Sequence, residues 1–323
     1  MTHVKKTLLA IALCAAAAPA AWAAGYPERP VRLIVPYAVG GATDVIGRVV
    51  ARYLGEELGQ SVVVENKPGA GGSTGSLYAA KQPAAGYTLV MMVESSHAVN
   101  PNVYAKPAYD PVKDFTPISN IANVPGVMVV GFESAYKSVR DVVEAARKAP
   151  GKLNYGSSGN GGYSHLSGAL FGNTTGTQIT HVPYKGLGPA LNDLMAKQID
   201  VVFDNMPSSG GLIAGKQLRA LAVSSPKRLA SLPDVPTYAE AGLKPMNEMS
   251  WYGIGAPANL DPAILARLST ALKKTLQNPE LVKTIEQQSA IVDYQTPQQF
   301  KETVERSNKA WARLVKDIGF EKM

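Results

Sequence analysis

"VRLIVPYAVGGATDVIGRVVARYLGEEL", residues 31–58, holds two periodicities joined by a glycine turn. Val31–Pro36 is a short continuous apolar run, the pattern of a strand buried on both faces. From Asp44 to Leu58 the apolar residues recur at Ile46, Val49, Val50, Tyr53, Leu54 and Leu58, a helical stripe, and Gly59 is a natural stop. Between strand and helix stand Gly40 and Gly41. A helix that starts on glycine leaves its first backbone N–H groups bare, and such groups attract anions.

The same strand–loop–helix unit recurs outward from this stretch. Val62–Val64 reads as a strand, "KPGAGGSTG" (67–75) as a glycine loop, Ser76–Gln82 as a short helix and Thr88–Val93 as another strand. After "YDPVKDFTPIS" the pattern changes, and Asn120–Phe132 reads as a strand-rich crossing segment. A second alternation then runs from the helix Val139–Lys148 to the strand Leu218–Ser224. "MSWYGIGAP" (249–257) reads as a second crossing, and helical stretches over Pro262–Gln288 and Pro297–Ile318 close the chain. Alternating units of this kind predict an α/β fold with mainly parallel sheets flanked by helices. Two crossings predict two domains, one from residues 25–122 plus 249–323 and one from 123–248. In such sheets ligands sit beyond the carboxyl ends of the strands, so two sets of loops are expected to face each other across a cleft.

The first 24 residues read as a secretory signal peptide: Lys5 and Lys6, an apolar run from Leu8 to Ala18, then Ala21-Trp22-Ala23. That run is too short to span a membrane. Cys14, the only cysteine, falls inside it. The remaining chain therefore has no disulfide or thiol site and must rest on its core. The net charge is +7, and losing Lys5 and Lys6 makes it +5, which suits small anions. The basic residues are scattered and aromatics sparse, which argues against nucleic acid.

Familiar catalytic and cofactor motifs fail in detail. "GAGGST" places Thr74 where a dinucleotide fingerprint needs its third glycine, and "GGLIAGKQ" puts Gln217 where a P-loop needs Ser or Thr. There is no G-x-S-x-G elbow. His97, His165 and His181 are far apart and form no metal pattern, so neither metal nor cofactor is expected. His97 and His165 fall at a strand end and a helix start and read as cleft donors, whereas His181 lies within a strand and reads as structural. Asp44 reads as a helix cap more than a ligand group. Lys185 is either a surface lysine or a ligand contact. Asp204 either caps the following helix or receives a ligand's donor group.

Taken together, "YPERPVRLIVPYAVGGATDVIGR", "VVVENKPGAGGSTGS", "YDPVKDFTPIS", "LNYGSSGNGGYSHLSG", "HVPYKGLGPALNDLMAKQIDVVFDN" and "RALAVSSPKRLASLPDVPTYAEAG" resemble the substrate-binding proteins of tripartite tricarboxylate transporters, the Bug-type receptors. The resemblance implies a periplasmic two-domain binding protein of the Venus-flytrap, type II-like kind. It also implies capture of a small carboxylate (a di- or tricarboxylate, an acidic amino acid or an aromatic carboxylate) by a monomer that passes it to membrane permease subunits. Backbone N–H groups and waters, with no arginine clamp, would hold the ligand. Carried over by motif, the implied contacts are Tyr37, Val39, Gly40, Gly41 and Thr43, then Ala70, Gly71, Gly72 and Ser73. Ser95, Ser96 and His97 would line the pocket. The opposing domain would supply Ser157, Ser158, Tyr163 and His165, then Tyr184, Lys185, Gly186 and Asp204. Two rivals remain at this stage, a secreted hydrolase using a cleft Ser and His, and a ligand sensor that docks to a signalling partner.

Overall fold

A computed structural model describes residues 25–323. The expected signal peptide and Cys14 lie outside the described residues.

Six strands, β1 (Val31–Val35), β2 (Val62–Asn66), β3 (Thr88–Val93), β4 (Phe115–Val124), β10 (Ser250–Pro257) and β11 (Ile291–Val292), form one sheet in the order β11-β4-β10-β3-β1-β2. Five more, β5 (Gly126–Gly131), β6 (Asn154–Ser157), β7 (Thr180–Pro183), β8 (Val201–Asn205) and β9 (Leu218–Ser224), form the other in the order β7-β6-β8-β5-β9. Only Pro125 separates β4 in the first sheet from β5 in the second. The chain returns to the first sheet at β10. This is a two-domain α/β fold.

The sheets are mixed, which refines the expectation of mainly parallel ones. β1 pairs in parallel with β2 and β3, and β6 with β7 and β8. The strands at the crossings run the other way: β10 is antiparallel to β3 and β4, and β5 to β8 and β9. A strand arriving from the other sheet needs no crossover helix, so the right-handed βαβ rule that makes neighbours parallel does not act on it.

Side-chain alternation explains why both faces of the first sheet are covered. Val31, Leu33 and Val35 pack with Ile46, Val50 and Leu54 of the helix Ala42–Leu58. Ile34, on the opposite face, packs with Val90, Met92 and Phe300, Phe300 coming from the closing helix Pro297–Asp317. Each such aliphatic side chain removed from water contributes about 1.5–3 kcal/mol before entropy is set against it. The helix Ala42–Leu58 stops where Gly59 turns left-handed, at φ +70°, and the Gly59 and Gln60 N–H groups bond back to Glu56 and Gly55 carbonyls.

Candidate ligand-binding cleft

The carboxyl ends of β1, β3, β6 and β8 point their loops at one another, and a small cavity of about 30 Å³ lies between them. Its floor is the start of the helix Ala42–Leu58. Gly41 is the N-cap, with φ −76° and ψ 161°, and supplies no side-chain cap. Its carbonyl takes the Asp44 and Val45 N–H groups. No acceptor among the described residues takes the N–H of Gly41, Ala42 or Thr43. All three residues line the cavity. These are the orphan donors of a helix start, and they stay open because glycine at the cap brings no oxygen to close them.

Asp44 turns away from the cavity. Its Oδ2 accepts from the Gly40 N–H at 3.0 Å and Arg48 Nε at 3.0 Å, and its Oδ1 accepts from Asn66 Nδ2 at 2.9 Å. Burial raises its pKa, but Arg48, the Gly40 N–H and Asn66 together outweigh that and hold the carboxyl below its ordinary range. Its negative charge is therefore spent locally and does not oppose an anion at the helix start.

The opposite wall belongs to the second sheet's loops. Ser158 and Ser164 line the cavity, with the Ser158 N–H donating to Ser164 Oγ at 2.9 Å. Tyr163, Asn205 and Leu187 complete that side, and Tyr37, Ser95 and Tyr252 the other. Hydrogen bonds tie the halves together here: Tyr163 N–H to Ser95 Oγ at 2.8 Å, Tyr252 OH to Asn205 Oδ1 at 3.1 Å and Tyr104 OH to the Asn160 carbonyl at 3.1 Å. No charged side chain lines the cavity. Its polarity comes from N–H groups, hydroxyls and one amide.

Of the residues singled out from sequence, Tyr37, Gly41, Thr43, Ser95, Ser158 and Tyr163 reach the cavity. The others have different roles. Val39 is 63% exposed and faces outward. The Gly40 N–H is taken by Asp44. Ala70, Gly71, Gly72 and Ser73 form a spacer under the cleft: the Gly71 carbonyl accepts from Tyr37 OH at 2.9 Å, the Ala70 carbonyl from Asn100 Nδ2 at 2.9 Å, and Ser73 Oγ bonds to Asn100. Gly71, at φ +61°, is so close to the opposing loop that a Cβ would lie 2.5 Å from the Asn160 carbonyl oxygen. Gly186 similarly abuts Ala38.

His97 is a correction. It is fully buried, 4.6 Å edge-on from Phe115, with Nδ1 bonded to Ser96 Oγ. Burial pushes its pKa down to about 3. A one-turn π-helix over Ser95–Val99 carries Ser96 and His97 into the core and leaves only Ser95 at the cavity. His165 is another: its Nδ1 accepts from the Gly161 N–H at 3.1 Å, and its ring stacks on His181 at 3.7 Å. Ser157 is fully buried and bonds to His181 Nε2 and Gly159. Tyr184 donates to Asp193 at 2.7 Å, and exposed Lys185 borders an open outer depression with Ala70 and Gly159. Asp204 is buried and accepts from the Ser208 and Ser209 hydroxyls of the helix that follows. Burial pushes its pKa up to about 6.

Ala42, Ser164, Leu187, Asn205 and Tyr252 were not foreseen. Ser164 and Asn205 sit beside residues that were, and a one-residue shift of register separates the two sets. Tyr252 had no local signal, because only the pairing of β10 with β3 opposite Val93 brings it to the cleft.

These positions also remove the hydrolase reading. Ser157 and His181 share a hydrogen bond, but Ser157 is sealed from solvent, and burial together with His165 pushes the His181 pKa down to about 3. An imidazole so hard to protonate is a weak general base.

The tripartite tricarboxylate transporter family receptor model (TctC) matches residues 46–320. The chain belongs to this family. It is 36% identical to the protein BugT of Bordetella pertussis (strain Tohama I) over 96% of this chain and 95% of BugT. Among solved structures it is similar to the periplasmic binding protein BugD, at 33% identity and TM-score 0.89, over 92% of this chain and all of BugD. It is also similar to R. palustris Rpa4515 with adipate, at 37% identity and TM-score 0.87, over 91% of this chain and 98% of the other. The family is one of solute-binding receptors, and this member is a binding protein and not an enzyme. Among the described residues no helix is long and apolar enough to cross a membrane.

Proposed function

We propose that this receptor works in the periplasm, captures a small carboxylate at the start of the helix Ala42–Leu58, and delivers it to the membrane subunits of a tripartite tricarboxylate transporter. One observation carries the reading: among the described residues nothing accepts the Gly41, Ala42 and Thr43 N–H groups, and all three residues line a cavity with no charged side chain. An anion there gains from the helix dipole, up to about 2 kcal/mol in a partly buried site, and from charge-assisted hydrogen bonds. The hydroxyls of Ser158 and Ser164 supply the far side. The relative crystallised with adipate makes dicarboxylates the first class to try.

A cavity of about 30 Å³ has room for about two waters or a single carboxylate head. Ligand entry therefore requires the halves to part, with the crossings at Pro125 and before β10 as hinges. Closure would then remake the Tyr163–Ser95, Tyr104–Asn160 and Tyr252–Asn205 hydrogen bonds around the ligand.

The test is a melting series against small dicarboxylates, adipate included, each paired with its diamide. Ligand at about 100 times its Kd adds about 2.7 kcal/mol, so an acid that raises the melting temperature while its amide does not supports the reading. An amide that stabilises as well as its acid refutes an anion cradle. Delivery is tested by vesicle uptake with the membrane subunits of a candidate tripartite tricarboxylate transporter, which should depend on added receptor. A receptor that binds the acid without stimulating uptake would favour the sensor role.

A further inference from the structure

A second cavity, of about 510 Å³, borders Tyr163 on the side of the closing helix Pro297–Asp317. Its volume is that of an ordinary small-molecule site, and its chemistry is the reverse of the cleft's. Glu94, 8% exposed, stands in its wall. One carboxylate oxygen, Oε1, accepts from Trp311 Nε1 at 3.0 Å and from Ser307 Oγ at 3.0 Å. The other, Oε2, has no hydrogen bond of 3.5 Å or less among the described residues, and the Ser250 hydroxyl stands near the carboxyl. Among the described residues no Lys or Arg forms an ion pair with Glu94. Arg306, exposed at the same cavity, donates instead to Thr303 Oγ1 at 3.2 Å.

A buried carboxylate with an empty oxygen is costly unless a cation meets it. The remaining wall suits an organic cation: Tyr163, Phe203, Tyr238, Trp251 and Trp311 present aromatic surface, and Glu248 adds a second carboxylate. Aromatic rings with nearby carboxylates are the composition that holds ammonium groups. We propose that this cavity is a second ligand site, separate from the carboxylate cleft, for a small organic ammonium compound with an apolar body, its charged head on Glu94 Oε2. The walls come from both halves of the molecule, since Glu94 directly follows β3 and Trp251 lies in β10 of the first sheet, while Phe203 lies in β8 of the second. An occupant therefore bridges them.

Trp251 and Trp311 are the only tryptophans after Trp22, so the tryptophan fluorescence of the chain from Gly25 onward reads this cavity alone. Phenethylamine is the probe, with 2-phenylethanol as its neutral isostere. Phenethylamine should change the fluorescence saturably and bind about tenfold or more tighter than the alcohol, the scale of a charge-assisted hydrogen bond. Glu94→Gln should reduce amine affinity to that of the alcohol, with the fold checked by circular dichroism. Arg306→Ala, at an exposed position, should tighten the amine by removing a like charge, and it decides the matter if the first variant fails to fold. No saturable amine signal, equal binding of amine and alcohol, or a folded Glu94→Gln protein with unchanged amine affinity would each overturn the proposal.

Discussion

Replacing Ala42 with proline removes one of the three open N–H groups while keeping the backbone of the helix start. Ala42 is the first residue of its helix, where an N–H has no partner in the helix and proline's fixed φ is already correct. The chain uses this device itself, since the helices Pro262–Thr275, Pro279–Gln287 and Pro297–Asp317 all begin with proline. The preceding Gly41, at φ −76° and ψ 161°, already occupies the extended basin that a residue before proline requires. Ala42 is 3% exposed, so fitting the added ring carbons should cost about 1–3 kcal/mol of global stability, without unfolding the protein. A hydrogen bond to a charged group is worth about 1.5–3 kcal/mol, so losing one should weaken carboxylate binding about 10- to 150-fold. Isothermal titration with the acid that best stabilises the protein measures this, beside a urea melt of both proteins. An intact melt with unchanged affinity would refute the claim that the helix start holds the ligand. A collapsed melt would refute the description of the helix start.

Other consequences can be checked alongside it. Gly71→Ala should weaken carboxylate binding about 5- to 150-fold, because its Cβ meets the Asn160 carbonyl oxygen at 2.5 Å and an overpacked contact costs about 1–3 kcal/mol. Gly59→Ala, at φ +70° with nothing near its Cβ, carries the same left-handed strain and should lower stability by about 1 kcal/mol while leaving affinity alone; equal effects of the two variants on binding would remove the contact argument. Acid should destabilise the protein. Burial pushes His97 and His165 down to about 3 and 4, and burial with His165 pushes His181 to about 3. The unfolded chain takes up those protons near about pH 6.5, so stability is lost as pH falls through that value; a urea midpoint that holds steady from pH 7 to pH 5 would contradict these burials. Asp204 works in the opposite sense. With its folded pKa raised to about 6 from 3.8, its ionisation destabilises the fold as pH rises between those values. Asp204→Asn should therefore raise the urea midpoint at about pH 8 and leave it unchanged at about pH 3, below both values, and equal midpoints at the higher pH would count against the raised value.

The α/β fold and its loops were legible because their causes are local. Val31–Val35 must be a buried strand, since continuous apolar residues suit a sheet covered on both faces, and the stripe Ile46, Val50, Leu54 can hide only as a helix face. Glycine at 40, 41 and 59 sets the turn, the bare cap and the stop, each a short-range backbone property. Motif order along the chain was enough to identify the receptor family.

What only the tertiary structure decided is which atoms meet. Nothing near His97 in sequence shows that Phe115 and Tyr109 close over it, or that a π-turn divides Ser95 from Ser96. The antiparallel entry of β10, which carries Tyr252 to the cleft, depends on pairing with β3 about 160 residues earlier. The empty oxygen of Glu94 is visible only once Trp311 and Ser307, more than 200 residues away, have taken the other. Periodicity acts over a few residues and marks which faces are buried. Long-range packing then selects, from several hydroxyls and glycines of equal local merit, the few whose donors open on the same 30 Å³ of space.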